Sequence, residues 1–457
     1  MSGYCNGSWV AYSAYRWAST GVAPLVHNVL LPWRRFRGLE HHVRGKERLG
    51  YPTTSDLRCS RIPSDHLLLW FHAVSLGEGL AAVPLITHCL LQRKHQEQPF
   101  TILMTTTTVS AFDVVDAQLP QGVIHQFAPV DTPAAVARFL NYWNPTAIFL
   151  LESELWPNLI LAASARGIAV ALLNARMSEK SFKLWSLPVA RSLISLMLSK
   201  LSLIVTVSTT EAVRFQLLHA SPFIINFSRN LKYAINFEVP EVENRKIKDL
   251  KLQLAERQVW MASSIHPGEE EVMLWIHNEL VKKYANLVTI IVPRHPHLGK
   301  EIAKTMYKIG AGSEVLLRSE SANISPSTKI YIIDTLGELK YLYKITPIAV
   351  IGGSFLPNLA GHNVSEAAAS GCALLTGPYV GHFCHMISEM LQLEPMSVRQ
   401  VSNKVELLEC IMELLSNPDS LEARRTAAKQ AFEAISGGVV ENVWDLISTY
   451  ILGGADI

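Results

Sequence analysis

Five short apolar runs in the first half of the chain and five in the second recur at intervals that leave room for a helix between most of them. This alternation leaves few folds open. The first set is Leu67–Phe71, Thr101–Thr105, Ala147–Leu151, Ala169–Leu173 and Leu203–Val207; the second is Val259–Ser263, Val288–Val292, Ile330–Asp334, Ile348–Ile351 and Ala373–Thr376. Runs that are apolar at successive positions fit strands buried on both faces, as in a parallel sheet covered by helices. Gly79–Leu91 has helical spacing. Between the two sets lies Phe237–Arg257, charged and poorly periodic, the expected linker. A chain of 457 residues exceeds one ordinary core,. The expected architecture is therefore α/β, with two doubly wound Rossmann-like domains facing a cleft. Their expected bounds are 51–235 and 258–457, with 236–257 as linker and the last helix crossing back to the N-terminal domain.

Hydrophobic residues make up 49% of the chain and charged residues 18%, as in a well-cored globular protein. A net charge of +2 gives no reason to expect nucleic acid as a partner,. Cys5, Cys59, Cys89, Cys372, Cys384 and Cys410 are scattered without a CxxC, as buried or incidental thiols of a reducing compartment are,. No Asp or Glu precedes Glu40, while Arg16, Arg34, Arg35 and Arg37 supply positive charge, in the manner of organelle transit peptides,. The apolar run Gly21–Trp33 is interrupted by Pro24, His27 and Asn28 and is too short and broken to span a bilayer,. With Arg34-Arg35-Phe36-Arg37 behind it, the run can lie in a membrane interface, arginines toward anionic headgroups. The alternative is an ordinary solvated leader. Residues 1–50 are thus expected to be a leader and membrane-proximal segment. The expected location is mitochondrial and inner-membrane associated, or the cytoplasmic face of the inner membrane in a bacterium.

Ligands of open α/β sheets bind beyond the carboxyl ends of the strands, and those positions are polar in both halves. They carry His72–Glu78, Glu152–Pro157, Asn174–Ser178, Pro293–Pro296 and Asp334–Glu338. In Ile351–Pro378 an apolar strand ends in Gly352-Gly353-Ser354, a loop follows, and a helix is expected to open on Asn363 with Glu366 three residues on. That pair is either a capping box or part of an anion-binding helix start, and the two are compatible. Glu78 suits a helix N-terminus whether or not it reacts. Glu152 and Glu154 bracket one residue, so in an extended segment both point the same way and like charges raise one pKa. Arg294 and His295 can bind a phosphate or pair with an acidic neighbour. Glu269, Glu270 and Glu271 read as capping of a helix opened by His266-Pro267-Gly268. No H-x-x-H or D-x-D points to a metal,.

Taken in order, HAVSLGE (72–78), LLESELWPN (150–158), NARMS (174–178), NLK (230–232), PRH (293–295), LGE (336–338) and GGSFLPNLAGHNVSEAAASG (352–371) resemble the motif series of the 3-deoxy-D-manno-octulosonic acid (Kdo) transferases of lipid A biosynthesis. WRRFRGLEHHVRGKERLG (33–50) is similar to that family's membrane-proximal segment. HAVSLGEG, TTTTVSAF and HQFAPVDTP resemble its plant members, which are thought to be mitochondrial.

The resemblance implies the two-domain glycosyltransferase B fold, CMP-Kdo as donor, a lipid IVA-like acylated disaccharide phosphate as acceptor, and inversion at the anomeric centre. It implies Glu78 as general base, with Glu152 and Lys232 stabilising the transition state. A preformed cation at Lys232 suits the charge growing on the departing phosphate; Glu152 would orient Lys232 or the acceptor. The CMP contacts would be Pro293 and Arg294, then Leu336, Gly337 and Glu338, then Asn363, Val364, Ser365 and Glu366. Neither cofactor nor metal is implied. Three departures stand out: Arg229 replaces a common glycine before NLK, Pro267 turns HEGEE into HPGEE, and the leader lacks the long uninterrupted apolar anchor of many bacterial members. The rival readings are a transferase of the same fold using another nucleotide sugar, and an inactive lipid-binding relative.

Overall fold

The computed structural model describes residues 2–52, 66–92, 99–234, 241–308, 314–381 and 383–453. The chain divides into two compact units, Met1–Ile235 with Gly437–Ile457, and Asn236–Ser436.

The first unit holds β1 (Leu67–His72), β2 (Phe100–Thr106), β3 (Ile124–Phe127), β4 (Ala147–Leu151), β5 (Ala169–Ala175), β6 (Leu203–Thr206) and β7 (Ile225–Phe227). These form one parallel sheet in the order β3-β2-β1-β4-β5-β6-β7. Along β1, Leu68 and Trp70 enter one core while Leu69 and Phe71 enter the other. That two-sided burial is why the strand is apolar at every position. The order reverses between β1 and β4, the point where open sheets bind ligands.

The second unit repeats the plan with β8 (Gln258–Ile265), β9 (Leu287–Pro293), β10 (Val315–Leu317), β11 (Ile330–Ile332), β12 (Ile348–Ile351), β13 (Ala373–Thr376) and β14 (Val398–Gln400). All neighbours are parallel, in the order β10-β11-β9-β8-β12-β13-β14. Here the reversal falls between β8 and β12.

Residues 2–36 are helical throughout: Ser2–Leu25, a π turn over Val26–Leu30, then Leu31–Phe36. The helix runs through Pro24 instead of breaking there, and a wider π turn follows it,. One side of the long helix is tied to the unit. Ala11, Tyr12 and Tyr15 pack on the core, the Tyr15 hydroxyl donates to Asp131 Oδ2 at 3.0 Å, and Ser19 Oγ accepts from Asn158 Nδ2 at 3.1 Å. Trp9, Trp17 and, further on, Phe36 are exposed. Several basic residues that follow serve the fold: Arg34 pairs with buried Glu40 at 2.9 Å and Arg44 with buried Glu47 at 2.8 Å. Among the described residues no helix is long and apolar enough to cross a membrane.

Residues 236–240 of the expected linker lie outside the described residues, and Glu241–Leu254 is a helix of the second unit that buries Leu250 and Leu254. At the far end of the chain the Val439–Tyr450 helix belongs to the first unit. It buries Val439, Val443, Trp444 and Ile447 in the core that also holds Leu85 and Phe100. Cys89 and Cys372 are buried thiols whose pKa values burial pushes up. Cys59 lies outside the described residues.

Candidate active site

Glu78 sits in the first turn of the Leu76–Gln92 helix, and its carboxylate is almost fully buried. Oε2 accepts the Val74 N–H at 2.8 Å and Oε1 accepts the Ser75 hydroxyl at 2.7 Å, while Ser75 Oγ accepts the Glu78 N–H at 3.3 Å. This is a reciprocal cap of the helix start. It also fixes the carboxylate, and each oxygen keeps a lone pair for a further partner. The preceding residues are held from β2. Thr105 Oγ1 meets His72 Nδ1 at 2.9 Å, and Thr107 Oγ1 donates to the Val74 carbonyl at 2.8 Å. His72 is fully buried, and desolvation drives its pKa down to about 3, so it is a neutral core histidine.

Lys232 reaches the same place from a short turn, Leu231–Ala234. Its ammonium pairs with Glu152 Oε1 at 2.5 Å, and a methyl placed on Gly77 would lie 3.9 Å from Nζ. Asn174 at the end of β5 locks this approach, accepting the Leu231 N–H at 3.0 Å and offering Nδ2 to Glu152 Oε1 at 3.5 Å. Both Glu152 and Asn174 stand in the left-handed region, φ 57° and 54°. Such strain in non-glycine residues persists where surrounding contacts over-determine it. The structure thus brings Glu78, Glu152 and Lys232 together at the carboxyl ends of β1 and β4 and the turn after β7.

The expectation of an extended Glu152–Glu154 segment does not hold, because Glu152 has positive φ. Glu154 nonetheless has its pKa raised to about 7. Burial is the main cause, with repulsion from Glu78 and Glu152 adding to it and the hydrogen bond from Trp156 opposing it. That bond, from Trp156 Nε1 to Glu154 Oε2, is 2.6 Å long, and the Trp156 ring meets His72 edge-on at 5.2 Å.

In the second unit, Arg294 follows β9 with an exposed guanidinium, and among the described residues no carboxylate pairs with it. Glu338 is held by Arg318 through bonds of 2.7 and 3.1 Å, and Thr335 also donates to it. These residues border a cavity of about 520 Å³ with Gly337, Tyr341, Asp249 and Gln253. Gly337 stands at φ 82°, with open space where a side chain would be, and Leu336 is exposed.

The helix expected to open on Asn363 spans Ser365–Ala369 only, a stretch too short for a strong dipole,. Asn363 Oδ1 accepts the Ser365 N–H at 3.0 Å, one residue short of the bond a capping box makes to Glu366,. Glu366 is largely buried, and its carboxyl pKa is raised by burial against the pull of Lys340.

Glu269 is not a cap of the following helix. Its buried carboxylate accepts the N–H groups of His266, Gly353, Ser354 and Phe355 at 2.8–3.0 Å, clamping the loop after β12 onto the turn after β8. The Gly352-Gly353-Ser354 run hinted that backbone would be approached closely there, but nothing local named the acid. Among the described residues no three His, Cys, Asp or Glu converge to hold a metal.

Two seven-stranded parallel sheets, each flanked by helices and carrying polar groups beyond the strand ends, define the class: an α/β protein of glycosyltransferase B type. A solved glycosyltransferase from Rickettsia africae shares this fold, with TM-score 0.55 and 13% identity over 86% of this chain and 100% of that one. Residues 44–235 match the family profile described as 3-Deoxy-D-manno-octulosonic-acid transferase. A protein of Arabidopsis thaliana named "Probable 3-deoxy-D-manno-octulosonic acid transferase, mitochondrial" is 54% identical over 97% of this chain and 96% of its own length. The 3-deoxy-D-manno-octulosonic acid transferase of Haemophilus influenzae is 30% identical over 84% of this chain and 87% of its own. The chain belongs to the Kdo transferase family and is a glycosyltransferase.

Proposed function

We propose that the protein moves Kdo from CMP-Kdo to a hydroxyl of a lipid A precursor, a tetraacylated disaccharide phosphate like lipid IVA, in one inverting displacement. Glu78 removes the proton of the attacking hydroxyl. Lys232 faces the charge that develops on the departing phosphate, and Glu152 fixes the ammonium for that task. Pro293, Arg294, Leu336, Gly337, Glu338, Asn363, Val364, Ser365 and Glu366 bind CMP, with Arg294 on the phosphate. The observation that carries this reading is the Lys232–Glu152 pair at 2.5 Å beside the Gly77-Glu78 turn, in a chain of this family. A base and a preformed cation beside it are the two groups such a displacement needs.

The exposed Trp9, Trp17 and Phe36 support a seat for the N-terminal helical segment on a membrane surface, where a lipid acceptor resides,. We propose that the protein resides in the mitochondrion, at the inner membrane; a relative from Arabidopsis thaliana that is named as mitochondrial supports the compartment. The deciding experiment is transfer from CMP-Kdo to the tetraacylated precursor, read by mass to count Kdo units added. A mass gain of at least one Kdo is expected from the wild type, and at a rate far below it from Glu78→Gln. Undiminished transfer by that variant would remove Glu78 from the mechanism. Stabilisation by UDP but not CMP in a thermal-shift series would sink the donor assignment.

A further inference from the structure

His266 and His362 meet Nε2 to Nε2 at 2.7 Å, with ring centroids 5.0 Å apart and planes within 8°. Nitrogens that close with centroids that far apart mean the imidazoles touch corner to corner, not face to face. A head-on N···N bond needs one N–H and one lone pair. The pair can therefore hold no charge or share one, but two charged imidazoles would oppose hydrogen to hydrogen.

The two rings belong to segments that the fold must keep together. His266 follows β8, and His362 immediately precedes Asn363 in the loop after β12. Gly353, at φ 66°, lies against them, and a methyl there would come within 2.7 Å of His362 Cδ2. Beside the rings, Glu269 ties His266 to Gly353, Ser354 and Phe355. Among the described residues, Glu269 on its own turn favours a charged His266 ring, Arg294 and His295 beyond β9 disfavour it, and Glu270 and Glu301 border the cavity beside it. Burial disfavours the charged ring most.

We infer that His266 and His362 form a proton-sharing latch that holds residues 352–364 against the turn after β8 and keeps the Asn363–Glu366 segment in place, releasing it when both imidazoles are charged. The nucleotide part of this inference rests on the CMP contacts proposed above; the latch itself does not. The two histidines are positioning residues, acting through the loop.

Hydrogen exchange of the ligand-free full chain tests the latch. Loop peptides covering 352–364 are compared at about pH 7.5 and about pH 4.5, where the second proton of the pair is taken up, corrected for intrinsic exchange, in wild type, His362→Gln and His362→Ala. A glutamine amide can turn either N–H or C=O toward His266, so His362→Gln answers both states of that ring. Wild-type protection is expected to fall several-fold at the lower pH, His362→Gln to stay level, and His362→Ala to be low at both. Equal pH responses in wild type and His362→Gln would overturn the latch. CMP affinity supplies the second arm. The phosphate of CMP titrates equally against both proteins, so the ratio of their affinities isolates the histidines. Wild type is expected to weaken relative to His362→Gln by roughly threefold to tenfold, the worth of one such bond. A loop response with no change in that ratio would overturn the link to the nucleotide. Absence of CMP binding in either protein at pH 7.5 would remove the donor assignment and with it that link, leaving exchange to decide the latch.

Discussion

Glu78 is tied by its own helix start, and that arrangement says how a variant should behave. Glu78→Gln keeps a hydrogen-bonding side chain of the same shape but cannot accept a proton. With Glu78 as the proposed base, transfer is expected to drop about 10²–10⁴-fold, the usual span for the loss of such a group, with CMP affinity unchanged. Steady-state transfer and calorimetric titration check the two halves separately. Lys232→Met removes the cation and leaves Glu152 without its partner, and a loss of about 10²–10³ in kcat is expected from the missing charge,. Glu154 makes a prediction with a definite sign. The native protein keeps a proton on this carboxyl up to about pH 7, whereas the unfolded chain releases it near 4.5. The native state thus binds more protons across that window, and stability contributed at this site declines as pH rises through it. His72 acts in the opposite sense: its native pKa of about 3 costs stability as pH falls below the ordinary 6.5,. The difference between wild type and Glu154→Gln in urea midpoints, followed from pH 4.5 to 7.5, should therefore change with pH and isolate Glu154. The grouping of the candidate site was partly legible in the sequence, because Glu78 and Glu152 follow apolar runs and Lys232 lies in a recognisable motif, and the structure brings the three together. The role of Glu269 was not, since three of its four partners are backbone N–H groups 84–86 residues away and carry no side-chain signal.

Edge position decides which elements announce themselves. The ten apolar runs correspond to the inner strands of both sheets: Ala147–Leu151, Ile348–Ile351 and Ala373–Thr376 coincide with β4, β12 and β13, and the other seven have ends displaced by one or two residues. The four strands that the runs do not include are β3, β7, β10 and β14, and these are the four edges. An edge strand pairs on one side only and can be short and polar, as Ile124-His125-Gln126-Phe127 and Val398-Arg399-Gln400 are,. At the inner end of β12 the constraint runs the other way. A methyl on Gly352 would sit 2.7 Å from the Ser264 carbonyl oxygen and 2.9 Å from that of Ser263. Gly352→Ala must push β12 from β8, and a loss of about 1–3 kcal/mol is expected in thermal or urea unfolding. The N-terminal helix offers a milder test. Tyr15→Phe deletes one bond to the buried Asp131 carboxylate, whose other partners are the Asn158 and Leu159 N–H groups. Faster hydrogen exchange across residues 8–25 is expected, at a cost of about 1 kcal/mol.

At the scale of the whole chain, the two units do not follow chain order. Residues 437–457 return to the first unit, and Trp444 fills its core beside Phe100 and His88. Trp444→Ala should cost about 3–5 kcal/mol, because a cavity of that size cannot be closed by the packed helices around it. Hydrogen exchange gives the location as well as the loss. Peptides from 66–92 and 99–234 should lose protection in this variant, while those from 258–308 and 314–436 keep theirs. Equal loss in both sets would show the units to be one cooperative block.

The return of the last helix also sets an order of events during synthesis. The first unit's strands leave the ribosome early, yet the side chains that close one face of its sheet lie at residues 439–447. Between them the ribosome must translate Asn236–Ser436, about 200 residues, which takes roughly 10–40 s at ordinary elongation rates. For that interval Leu85, Ile86 and the other side chains of the Leu76–Gln92 helix that share a core with Val439, Val443, Trp444 and Ile447 are without those partners. The nascent chain is then a natural client for a chaperone, and the second unit, although made later, is the first with its full core in hand.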